Sequence, residues 1–155
     1  MVELASPANH ETVISGNVAL PNSLSPRAKL FFGQAFLRHT VKDRNWSLSQ
    51  FEGLESCDIG VAKASANAAR VFMLRRGNRE TGNLSYSQDQ GLSFFFVLQG
   101  TIKVQIEAEV DMLLAPADCL VVPSGYVFSL KEADHDLEML QVIMPAQARI
   151  KSELN

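Results

Sequence analysis

Cysteine is scarce in this sequence, with two in 155 residues. Cys57 and Cys119 could pair or be free, and neither has a second Cys or His at ligand spacing, which argues against a zinc site. With nothing pointing to secretion, both are expected as reduced, buried thiols. No apolar run reaches the roughly 20 residues needed to span a bilayer, so a membrane is not an expected partner. Long basic runs are missing too, and the formal net charge of −3 argues against nucleic acid as a main partner. The opening residues MVELASPANHE lack a basic stretch followed by an apolar one, so they do not read as a signal peptide, and a cytoplasmic protein is expected. There is no Gly-x-Ser-x-Gly elbow and no glycine-rich phosphate loop. What is present is an ordinary globular composition, 46% hydrophobic and 20% charged, in a chain long enough for one domain with a substantial core.

The chain divides by character. Residues 1–45 read as an arm followed by a helix: Pro7, Gly16 and Pro21 interrupt the arm, and Ser25-Pro26 is a helix-start signal that predicts a helix over 26–40. From Trp46 onward short strand-like runs alternate with turn residues, at 58–64, 69–75, 92–98, 102–106, 111–114, 119–122, 126–130 and 137–144. Strands this short and this regularly spaced predict an all-β sandwich or barrel over 46–148. Residues 149–155 are expected as a polar tail, helical or frayed.

The run FFFVLQGTIKVQIEAEVDMLLAPADCLVVPSGYVFSL carries a hairpin ending in Val97-Leu98-Gln99-Gly100. It continues through a turn at Ala117-Asp118 and a short apolar strand to Pro123-Ser124-Gly125. Upstream stand Trp46, Phe51, Asp58-Ile59-Gly60 and Arg75-Arg76. Together these resemble the cupin superfamily over about the last two thirds of the chain. The resemblance implies a double-stranded β-helix, or jelly-roll barrel, and says little about function, because that barrel hosts many chemistries.

Cupins usually carry G(X)5HXH(X)3–4E(X)6G and G(X)5PXG(X)2H(X)3N, whose three imidazoles and one carboxylate hold a divalent metal. Anchoring the first motif on Gly100 puts the carboxylate position at Ser93. The two histidine positions then fall on Ser87 and Asp89, or on Tyr86 and Gln88 with the longer spacing. Anchoring the second on Pro123 and Gly125 puts its histidine at Phe128, its asparagine at Glu132 and its opening glycine at Ala117. No histidine stands at any of these places, so no metal and no other cofactor are expected. The three histidines lie elsewhere: His10 in the arm, His39 at the end of the expected helix as a surface residue, and His135 in the turn Asp134–Asp136.

Alternation places Ser93, Phe95 and Val97 toward the barrel interior and Phe94, Phe96 and Leu98 outward. The outward strip needs cover, from Phe31, Phe32 and Phe36 of the same chain or from a second subunit in a homodimer. Ser87, Asp89, Ser93, Phe95, Tyr126 and Phe128 are the expected lining of a partly apolar pocket, with Tyr126 near its mouth. Arg70, Arg75, Arg76 and Arg79 form a basic cluster, expected as a solvated face unless one turns inward to clamp an anion. The expected function is binding of a small, partly apolar organic ligand without metal. The alternatives are an isomerase, epimerase or lyase using side-chain acid–base chemistry and, behind it, a metal-dependent dioxygenase.

Overall fold

The computed structural model describes residues 33–82, 84–107 and 111–153. Two antiparallel sheets face each other. The first has the order β1-β2-β3-β10-β5-β8 and the second β11-β4-β9-β6-β7. The strands are β1 (Ser47–Leu48), β2 (Leu54–Asp58), β3 (Arg70–Arg76), β4 (Ser85–Gln88), β5 (Leu92–Gln99) and β6 (Ile102–Ile106). They continue with β7 (Met112–Leu114), β8 (Cys119–Pro123), β9 (Val127–Lys131), β10 (Glu138–Met144) and β11 (Ile150–Glu153). Between β2 and β3 lies α1, a single helical turn over Val61–Ala64.

Alternation builds the core. Along β5, Ser93, Phe95 and Val97 are buried while the residues between them are only half-buried. From the facing sheet come Tyr86, Phe128, Leu130, Ile102 and Val104. The hairpin from β5 to β6 turns at Gly100, whose φ of 69° lies in the left-handed region. A Cβ there would sit 2.9 Å from the backbone of Leu137, so both conformation and space require glycine. At Ala117, the position of the motif's opening glycine, the backbone keeps a φ of 75° although the residue is alanine. The turn geometry persists where its preferred residue has gone.

Several expected elements differ. Of the expected helix over 26–40, residues 26–32 lie outside the described residues. Residues 33–40 contain no helix. Gly33 has a φ of 79°, outside the right-handed region, and Ala35 N–H donates to Ala64 O (2.8 Å), tying the segment to the end of α1. The strand expected at 58–64 instead ends at Asp58. Asp58 Oδ1 accepts the Gly60 N–H (2.8 Å), and the chain turns there into α1. Ser85–Gln88 is a strand that the sequence reading missed. Ile150–Glu153, expected in the tail, pairs with it as the edge of the second sheet.

Cys57 and Cys119 are both free. Cys57 is buried as expected, but Cys119 is exposed, because it lies on the edge strand β8 opposite outward-facing Phe96. His39 is half-buried, not a surface residue at a helix end, with Nε2 4.0 Å from Cys57 Sγ. Phe94 and Phe96 stack on the outer face with ring centroids 6.5 Å apart. Phe36 is 91% exposed and so does not cover them, and Phe31, Phe32 and His10 lie outside the described residues.

Candidate binding site

The expected pocket residues separate into two groups. Ser93, Phe95 and Phe128 are buried inside the barrel. Ser87, Asp89 and Tyr126 are not: Ser87 lies on the outer side of β4 and donates to Glu153, Asp89 is exposed, and Tyr126 is 49% exposed. The reason is the register of β4, where Tyr86 and Gln88 are the buried positions. The longer motif spacing is therefore the one that fits, and the interior carries Tyr86 and Gln88 in place of Ser87 and Asp89. Asp89 instead fastens the chain before β11. Its Oδ1 accepts the Arg149 N–H (2.9 Å) and its own N–H donates to Arg149 O (3.1 Å).

At the positions where cupins hold a metal, the donors here do not fit one. Ser93 Oγ donates to Gln88 Oε1, Gln88 Nε2 donates to Gln90 O (2.6 Å), and Phe128 contributes a phenyl ring. Among the described residues no group of three His, Cys, Asp or Glu side chains is arranged to hold a metal ion. Beyond Gln88 the barrel is filled with rings. Phe51 packs edge-on to Tyr86 with centroids 4.9 Å apart, and Phe95 lies 5.7 Å from Phe128. Tyr86 Oη accepts the Glu52 N–H (2.8 Å). Burial pushes the Tyr86 phenol above its usual range, against the smaller lowering effect of that hydrogen bond.

One depression of about 280 Å³ opens beside Phe51, between Glu52, Glu55 and Arg79. The space that borders an unpaired buried amide lies elsewhere, under β10. Gln141 is fully buried on the inner face of the first sheet, opposite Phe72 of β3 and Phe95 of β5. Among the described residues neither its Nε2 nor its Oε1 has a partner. The side chain borders a cavity of about 90 Å³, whose other walls are Ser49, Gln50, Ser56 and Phe72. Gln50 also lines a wider depression of about 510 Å³ together with Arg70, Ile143, Gln147 and Arg149. Ile143 is paired with both Arg70 and Ser93, so this mouth and the Gln88–Ser93 pair share one end of the barrel.

Of the basic cluster, only Arg70 turns toward this space, its guanidinium 5.9 Å from the Phe72 ring centroid. Arg75 points outward, where it is paired with Glu55 (2.7 Å) and lies 4.1 Å from the Trp46 ring centroid. Arg76 is held by the carbonyls of Arg79 and Ala133. Gln141 was not singled out from sequence: one polar residue in an apolar strand carries no motif, and only its burial without a partner marks it.

No protein-family model and no curated protein matches the chain. Solved structures do. A variant of Streptomyces Pac13 with uridine aligns at a TM-score of 0.60 and 14% identity, over 76% of this chain and 90% of that one. Pac13 is described as a nucleoside dehydratase. KdgF from Halomonas sp. aligns at 0.54 and 16% identity, over 70% and 94% of the two chains. Salicylate 1,2-dioxygenase from Pseudoaminobacter salicylatoxidans, with gentisate, aligns at 0.55 and 19% identity. That match covers 70% of this chain and 31% of the dioxygenase. At such identity the likeness establishes architecture and transfers no activity. The chain has the cupin fold, a barrel of two facing antiparallel sheets.

Proposed function

We propose that this barrel binds a small, partly apolar organic molecule and does so without a metal. The observation that carries the reading is Gln141. A buried amide left unpaired costs about 1–3 kcal/mol, so a fold that keeps one beside a cavity favours an occupant that pairs it. The glutamine offers an acceptor oxygen and two donor hydrogens, complementary to an amide, lactam or urea edge. Ser49, Gln50 and Ser56 line the same cavity as polar residues and Phe72 as an apolar wall.

Metal independence draws support from the donor set at the motif positions, where Gln88 and Ser93 satisfy each other and no imidazole is present. The same set weighs against a metal-dependent dioxygenase. An isomerase, epimerase or lyase working by acid–base chemistry needs a titratable side chain at the reacting centre, and the five described residues around the inner cavity carry none. We propose a homodimer as well, supported by the stacked Phe94–Phe96 strip and the exposed Leu98 and Val121 on the outer face of the first sheet.

A thermal-shift screen of small amides, lactams and ureas, alongside Fe²⁺, Mn²⁺, Ni²⁺ and Zn²⁺, tests the first reading. A compound at about 100 times its Kd raises stability by about 2.7 kcal/mol, a shift of about 5–10 °C for a chain this size. The shift is expected from organic compounds and not in the Gln141→Leu variant. Stoichiometric metal in the purified protein overturns metal independence. A screen without a single stabilising organic compound overturns the binding role.

A further inference from the structure

We infer that the ligand carries an anionic group, a carboxylate or phosphate, held at the mouth by Arg70 and Arg149. This deepens the binding role just proposed and rests on it. Three observations join the mouth to the inner cavity. Gln50 lines both spaces. The Arg70 guanidinium lies over Phe72, which walls the inner cavity. Ile143, at the mouth, stands two residues from Gln141 on the same face of β10.

The charge at this mouth has one sign. Among the described residues that line it, two are arginines and none is acidic. The carboxylate of Asp89, which is backbone-paired with Arg149, is turned to the Arg149 backbone N–H. Among the described residues neither Arg70 nor Arg149 forms an ion pair, whereas Arg44 and Arg75 do. A guanidinium offers five donors in a planar fork that matches a carboxylate or a phosphate. Two of them beside an apolar ring, with a hydrogen-bonding amide further in, define an occupant with a charged head, a flat apolar body and a polar far end. The ligand class is thus a small organic acid or phosphate ester.

The test uses the full chain with labelled arginine and glutamine side chains, read by NMR, and three probes: inorganic phosphate, benzoate and the neutral analogue benzamide. Saturable shifts of the Arg70 and Arg149 Nε–H signals by benzoate or phosphate are the expected result. Benzoate that also moves the Gln141 side-chain amide indicates a carboxylic acid; phosphate acting alone indicates a phosphoryl group. The Arg70→Gln and Arg149→Gln variants are each expected to weaken anion binding about tenfold or more. The charge-matched Arg79→Gln variant, altered at a separate depression, leaves it unchanged.

Anions that shift neither arginine, with benzamide still shifting Gln141, overturn the anionic head group and leave the binding role standing. Probes that move neither Gln141 nor the arginines overturn both. Equal weakening in Arg79→Gln overturns the inference as well, since the attraction would then be the field of the whole surface. The wild-type spectra decide the question even where an arginine variant fails to fold.

Discussion

Two buried glutamines face the interior of this barrel from opposite sheets, and they are treated differently. Gln88, 2% exposed on β4, accepts from the Ser93 hydroxyl and donates to the Gln90 carbonyl. Gln141, 0% exposed on β10, has neither side-chain polar atom paired among the described residues. The first amide is spent on the fold. It closes, with Ser93, the place where a cupin metal would sit, and behind it the barrel is packed with rings. The second borders open space, and on the binding role proposed above it is the group an occupant would pair. A cupin-fold barrel without histidines at the motif positions can therefore be closed there and still open beside them.

The largest effect that could break this contrast is packing. Phe128, buried among Phe51, Tyr86 and Phe95, stands for the closed side, and Phe72, half-buried against the cavity, for the open one. Phe128→Ala is expected to cost about 3–5 kcal/mol in urea unfolding. Phe72→Ala has less area to lose and is expected to cost about 1–2 kcal/mol. Equal losses would mean that the two sides are packed alike and that the cavity closes in solution.

The glutamines themselves come next, with opposite signs. Ser93→Ala removes the donor to Gln88 Oε1 and strands a buried carbonyl, a loss of about 1–3 kcal/mol. Gln141→Leu removes an amide that has no partner and puts apolar atoms in its place, a gain of similar size in ligand-free protein. Both are read from denaturant midpoints at unchanged m. A destabilised Gln141→Leu would show that solvent already pairs the amide, and the reason for reserving it for a ligand would go.

Legibility in the sequence follows the same division. Alternation in 92–98, the Gly100 turn and the Pro123-Ser124-Gly125 corner announced the barrel, because each reflects a local backbone requirement. That no histidine stands at the motif positions can be read from spacing alone. Which residues face inward there cannot, since Ser87-Asp89 and Tyr86-Gln88 differ by one position and only the pairing of β4 with β9 and β11 chooses between them. Ser85–Gln88 is too short and too polar to declare itself a strand. Gln141 and Arg70 are ordinary residues whose significance is wholly tertiary: one lacks a partner among the described residues in a buried place, the other borders the mouth while Arg75 and Arg76 are held by Glu55 and by backbone carbonyls.

The smallest effect, and the most specific to the closed side, belongs to Tyr86. Burial raises its phenol above the usual value near 10. A group whose pKa is higher in the folded than in the unfolded chain adds stability that is complete below the unfolded value. That stability is lost as pH rises through the folded value. The Tyr86 contribution is therefore constant around neutrality and declines above about pH 10. Tyr86→Phe forfeits the hydrogen bond from Glu52 N–H, about 0.5–1.5 kcal/mol at neutral pH. It also removes the alkaline decline, so the two stability curves should converge as pH rises. Curves that stay parallel to pH 11 would mean that the phenol titrates as it does in the unfolded chain. Water would then reach the ring, and the side of the barrel that Gln88 and Ser93 close would be as open as the one Gln141 borders.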